Sequence, residues 1–177
     1  MTDYPLFVPP SPVASKPRRN WTSEDAEFYF KWLMGNLPRR TNQVMQWFGE
    51  EDQVNRAAVL TKIGEKFSAA LPTPQFSKAV ENSSKLTNQG YAIAADLGLL
   101  VARFLCEECG PSARWEILRK PKNDMSYNLP VLMGFHIYFE PVGGVIAESK
   151  GMLRGVRSGD VLAETFLFWK NKSTQNK

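Results

Sequence analysis

Few residues in this chain have both the type and the spacing for chemistry, and the most suggestive are Cys106-Glu107-Glu108-Cys109. A C-x-x-C can form a dithiol redox pair or supply half of a zinc site. Here the pair falls at the predicted end of a helix, where the helix dipole and the two glutamates both disfavour a thiolate. A zinc site needs two further ligands, and the chain offers one histidine and no other cysteine. The two cysteines are therefore read as structural, with no metal and no cofactor.

His136 is the single imidazole, a candidate general base for which Asp96 is a candidate partner. No G-x-S-x-G, H-E-x-x-H or paired-histidine motif surrounds it, so it reads as a half-exposed strand histidine. Asp96 shares a helix face with Arg103, seven residues on, and with Glu107, four beyond that. The spacing suits a charged helix edge with an i,i+4 pair; the alternative is a buried polar site among apolar neighbours.

The run "GMLRGVRSGD", Gly151 to Asp160, invites a phosphate-loop reading but lacks the Gly-Lys-Ser/Thr ending and an evident strand, loop and helix order. Arg154 and Arg157 within it remain candidates for gripping an acidic partner. Basic and aromatic residues interleave at Arg114-Trp115 and at Arg18-Arg19-Asn20-Trp21, as a single-stranded nucleic-acid platform would require. Most aromatics fall on predicted core faces instead, which leaves nucleic acid as a secondary reading.

The elements that must position these residues follow from periodicity and caps. Residues 1–20 hold five prolines and read as an extended arm, loose or laid over the body through Tyr4, Leu6, Phe7 and Val8. Thr22 and Asp25 form a capping box for a helix with Phe28, Trp32 and Leu33 inward, expected to stop near Gly35 and Asn36. Pro38 then suits the first turn of a second helix, with Val44, Trp47 and Phe48 inward. A third is expected from Asp52, with Val54, Ala58, Ile63 and Phe67 on one face, ending at Leu71-Pro72. After a polar connector with a turn of helix around Phe76 to Val80, Thr87 caps a long helix that stops at Gly110-Pro111.

Beyond that point the pattern changes to strands, at Trp115 and Ile117 and again over Leu129 to Phe139, joined by "KPKNDMSYN". The connection is too short for a helical crossover, so the strands are antiparallel. Helices return over Val142 to Leu153 and, after Gly155 and Gly159, over Val161 to Trp169. The expected fold is α+β: a mainly helical N-terminal half packed on a small antiparallel sheet, with C-terminal helices. One domain over residues 21–170 and a flexible basic tail at 171–177 complete the division.

A length of 177 residues and an apolar fraction of 43% are enough for one real core. The formal charge of +4 draws much of its excess from Lys16, Arg18 and Arg19 and from Lys170, Lys172 and Lys177. The middle is near neutral, unlike a concentrated nucleic-acid footprint. The first residues show neither a basic n-region nor an unbroken apolar stretch, and the longest apolar run, Tyr91 to Leu105, contains Asp96 and Arg103. A cytoplasmic protein without a membrane partner is the expectation.

The segments "YFKWLMGNLPRRTNQVMQWF", "LGLLVARFL", "RWEILRKPKNDMSYNLPVLMGF" and "FEP" together resemble, in layout, small bacterial intracellular proteins, some similar to immunity proteins of polymorphic toxin systems. That layout has a helical first half and a Trp-bearing strand, then a turn with Tyr-x-x-Pro and a second strand. The resemblance implies a protein-binding inhibitor without chemistry of its own, and a toxin partner. Immunity proteins that block nucleases are often acidic, so the mild basicity here points to a toxin without a cationic substrate cleft.

The residues themselves point the same way, because a full core pattern comes without a matched nucleophile, base and orienting group. The leading expectation is a non-catalytic protein-binding protein, with Arg114, Arg119, Lys120, Lys122, Arg154 and Arg157 meeting an acidic partner. The same cations would serve the nucleic-acid alternative, and an enzyme centred on His136 is the third.

Overall fold

A computed structural model describes residues 3–80 and 83–174. Among them the chain forms five α-helices and two separate two-stranded antiparallel sheets, an α+β fold. In chain order these are α1 (Ser23–Trp47), α2 (Arg56–Ala70), β1 (Ser77–Val80), β2 (Ser83–Leu86), α3 (Asn88–Cys109), β3 (Arg114–Ile117), β4 (Pro130–Met133), α4 (Pro141–Leu153) and α5 (Val161–Thr174).

The centre is α3. Ile93, Leu97, Leu100, Val101, Phe104 and Leu105 are all fully buried, because α1, α4 and α5 enclose the helix. Its ends follow local rules. The Thr87 hydroxyl accepts from the Gly90 amide at 3.1 Å, and Gly110 closes the helix at φ 57. At Gly98 the absent side chain lets the Pro141 carbonyl at the start of α4 come against the helix backbone. The Glu140 carboxylate caps α4, accepting from Val142 N at 3.2 Å and Gly143 N at 2.7 Å.

Several expectations are corrected. The first two helices are one, α1, which runs through Gly35 and Pro38. An interior proline costs about 3 kcal/mol, but Leu33 before it and Arg40, Val44 and Met45 after it are all buried, so one register has to serve both halves. Phe28, expected inward, is 45% exposed. The next helix opens at Asn55, whose side chain accepts from Ala58 N at 3.1 Å. It does not open at Asp52, and Val54 projects into solvent. In place of a polar connector with a turn of helix, β1 and β2 pair from Ser77↔Leu86 to Val80↔Ser83. The expected single sheet is therefore two, the second pairing Arg114↔Met133 to Ile117↔Pro130, with Leu132 also bridging to Phe139.

The arm is built into the body. Tyr4 is 1% exposed in the main apolar cluster, and Val13 sits with Trp21, Tyr29 and Leu33 in a second. At the other end α5 continues to Thr174, past the expected boundary at 170, and residues 175–177 of the expected tail lie outside the described residues. No helix among the described residues is long and apolar enough to cross a membrane.

Candidate functional site

The buried polar centre joins three segments. Asp96, on the inner face of α3, accepts from Arg40 of α1 through Nε at 2.7 Å and pairs with its NH2 at 2.7 Å. The Tyr4 hydroxyl donates to the same carboxylate at 2.5 Å. Arg40 also donates to the Leu6 and Pro5 carbonyls at 3.2 and 3.4 Å, which fixes the arm to α1. Burial pushes the Asp96 carboxyl up to about 6, against the pull of Arg40 and Tyr4. Burial also raises the Tyr4 hydroxyl, helped by the Asp96 charge, so it stays a neutral donor.

This corrects the charged-edge reading for Asp96, while Arg103 and Glu107 keep it. Arg103 Nε bonds Glu107 at 2.8 Å, and its NH2 bonds Asp52 at 2.7 Å. Arg56 joins the same two acids, so α2, α3 and the loop before α2 share one surface ion network, to which Asn42 of α1 is tied by a hydrogen bond from Arg103 at 2.9 Å. The sequence shows no direct sign of Arg40 as the partner. An isolated Asp within the apolar face of α3 does demand a countercharge, and Arg40 lies seven residues after Leu33, on the inward stripe of α1.

His136 lies exposed in the bend between β4 and Phe139. It makes no hydrogen bond or ion pair among the described residues, and the Asp96 oxygens are held by Arg40 and Tyr4. The Cys106 thiol is pushed up to about 11 by burial, then by Cys109 and Glu107. Both cysteines are free, and Cys109 Sγ lies 3.1 Å from the Ser173 hydroxyl. Among the described residues no group of three or more His, Cys, Asp or Glu side chains is placed to hold a metal ion. The Gly151 to Asp160 run is the end of α4 and the turn before α5, not a strand, loop and helix.

The six candidate cations fall in two places and in different states. Arg114 bonds Glu116 of its own strand at 2.6 Å, and Arg157 pairs with Glu148 of α4 at 2.9 Å. Arg154 is exposed at the end of α4. Arg119 is a brace: it donates to Asn128 Oδ1 at 2.9 Å and to Glu27 of α1 at 3.0 Å. Lys120 and Lys122 are exposed and pair with no described residue. Among the described residues no ion pair links the β3 group to the group after α4.

Lys120 and Lys122 belong to the loop between β3 and β4, which is firmly closed at its base. Leu118 N donates to Leu129 O at 3.0 Å, and Asn128 N returns to Leu118 O at 2.8 Å. Asn128 takes a positive φ of 65, a conformation its side chain tolerates, and donates to the Trp21 carbonyl at 3.0 Å. Inside the loop, Asp124 Oδ1 accepts from Ser126 N at 2.7 Å and from the Tyr138 hydroxyl at 2.6 Å. Met125 stands at the tip, 97% exposed. Trp21 is buried and Trp115 packs against both apolar clusters, so neither offers an open stacking face beside these cations.

Comparison with family models, with curated proteins and with solved structures finds no match to this chain.

Proposed function

We propose that this is a non-catalytic protein-binding protein that docks through the loop between β3 and β4. One observation carries the reading: the loop is braced at Arg119, Asp124 and Asn128, yet holds Lys120, Lys122 and Met125 outward without polar partners among the described residues. A preordered loop loses little conformational freedom on association, which favours its use as a recognition element. Two outward ammonium groups suit an acidic surface, and the flexible, polarisable Met125 side chain suits an apolar slot beside it. Arg114, Arg154 and Arg157 lie outside this element and serve at most as its rim.

In its finer form the proposal makes the partner a toxin and the setting the bacterial cytoplasm, as the resemblance in layout implies. The test uses the full chain as bait in cells that produce it. A discrete protein should be retained by the wild type, lost with the Lys120→Glu and Lys122→Glu double variant, and kept with the Arg154→Glu and Arg157→Glu double variant. If the loop variant retains the same protein, the docking element is wrong. If only nuclease-sensitive material is retained, with a steep loss as salt rises, the nucleic-acid reading replaces this one. For the finer form, the captured protein should arrest growth when expressed alone and be tolerated when this chain is present.

A further inference from the structure

Between the arm, the start of α1 and the first turns of α3 and α4 lies a cavity of about 490 Å³. That is within the roughly 300–1,000 Å³ typical of small-molecule sites. Its walls are mostly apolar, with Phe7, Val13, Ala95, Val142 and Ile146 among them. Two polar groups stand out against that lining. Tyr29 is 4% exposed, its ring fixed against Trp21 at 5.0 Å and Trp32 at 5.6 Å, yet its hydroxyl bonds no described residue. Arg18, at the mouth, is exposed and pairs with no acid among the described residues.

We propose that this cavity binds a small monocarboxylate with an apolar body, the carboxylate held by Arg18 and the Tyr29 hydroxyl and the body lying along Phe7, Val142 and Ile146.

The Tyr29 hydroxyl oxygen is not sealed from solvent and no described residue accepts from it, so it is open to an acceptor on a ligand. Burial pushes the Tyr29 hydroxyl up to about 12, with Arg18 opposing and Glu140 adding to the rise, so it is a neutral donor at neutral pH. Arg18 and Tyr29 line the same cavity. The other cation of the lining, Lys16, is already bonded to both Asp25 oxygens, at 2.8 and 3.0 Å. The acid that Arg18 does sense, Glu140, has both oxygens engaged by the amides at the start of α4. That carboxylate also fills the helix end where an anion would otherwise sit. Among the described residues of the lining, one cation without an ion pair and one neutral donor match a single negative charge and are too few for a polyphosphate.

The probe is sodium decanoate, titrated calorimetrically into the full chain alongside 1-decanol. Decanoate should bind saturably and roughly tenfold or more tighter than the alcohol, the scale of one hydrogen bond to a charged group. Methyl resonances of Val13, Val142 and Ile146 should move on saturation. Arg18→Gln, at an exposed position that leaves the fold intact by circular dichroism, should remove the preference for the acid. Tyr29→Phe should weaken decanoate several-fold while leaving decanol unchanged. Absence of saturable decanoate binding, equal affinity for the alcohol, a preference that survives Arg18→Gln, or shifts confined to other surfaces would each overturn the assignment.

Discussion

Tyr4 and Asp96 lie 92 positions apart and share a 2.5 Å hydrogen bond inside the core, where Arg40 completes the contact. The side chains of Arg40 and Asp96 are 3% and 0% exposed, so neither can fall back on water when its partner is removed. Asp96→Ala or Arg40→Ala should each cost about 3–5 kcal/mol, the scale for a buried charge left unpaired. Tyr4→Phe should cost about 1–3 kcal/mol. Replacing both members by apolar residues, as Arg40→Met with Asp96→Leu, should recover most of the single-variant loss. Urea unfolding of the wild type and the four variants checks this, and Asp96→Ala and Arg40→Ala losses below about 1 kcal/mol would show the pair to be dispensable.

The same carboxyl sets a pH dependence with a definite sign. Its folded pKa of about 6 lies above the ordinary value of 3.8, so between those limits the folded chain holds more protons than the unfolded one. Stability from Asp96 is therefore full below about pH 4 and declines as pH rises through 6. Asp25 and Asp124 are held below the usual range, Asp25 chiefly by Lys16 and Asp124 by Tyr138, and act in the opposite sense. Both are common to the wild type and Asp96→Asn, so the difference in unfolding free energy between these two proteins isolates the Asp96 contribution. That difference should fall from pH 4 to 6 and be flat above 7.

The features legible in the sequence are those decided within a few residues. Thr22 with Asp25, Thr87, and Gly110 with Pro111 each satisfy or close a helix end locally, and all stand where spacing puts them. The misreadings occur where distant contacts decide. Pro38 carries a strong local stop signal, but burial of Leu33 and Val44 on either side overrides it. In β1 and β2 only Ser77 and Leu86 are buried, so the hairpin shows no apolar alternation to read. Among the site residues, charge type was visible, but the difference between Arg119 as a brace and Lys120, which pairs with no described residue, depends on Glu27 and Asn128. Tyr29 gave no sign at all, because an unpaired hydroxyl is a property of the packed neighbourhood.

Since Pro38 is exposed and sits mid-helix, its cost is not offset by packing of its own ring. Pro38→Ala should restore a backbone donor and stabilise the chain by up to about 3 kcal/mol. A raised thermal midpoint with unchanged far-ultraviolet dichroism is the expected result. A lowered midpoint would mean that the proline shapes α1 in a way that the packing needs.

Gly64 of α2 and Gly159, before α5, press backbone on backbone. A Cβ on Gly64 would overlap the Gly159 carbonyl, and one on Gly159 would come within 2.6 Å of the Gly64 carbonyl group. Neither neighbour is a flexible side chain that can swing away, so Gly64→Ala should cost about 1–3 kcal/mol or more. Gly35, in α1, has nothing within 4 Å of the same added atom. Gly35→Ala should instead stabilise by about 0.5–1 kcal/mol through its helix propensity. Opposite signs for the same chemical change, measured by urea unfolding, are the check.

Cys106 and Cys109 give the last expectation, because the C-x-x-C spacing alone would make them look reactive. Only a thiolate attacks an alkylating agent, and a Cys106 thiol pushed up to about 11 is ionised at roughly one part in a thousand at pH 8. Burial, Cys109 and Glu107 all act in that direction, and no cation is among the causes. Iodoacetamide at pH 8 should therefore leave Cys106 largely unmodified in the folded chain, as read by mass spectrometry of its peptide, and modify it rapidly in urea. Equal rates in the two states would show that the end of α3 opens to solvent, and the redox reading of the pair would then regain its basis.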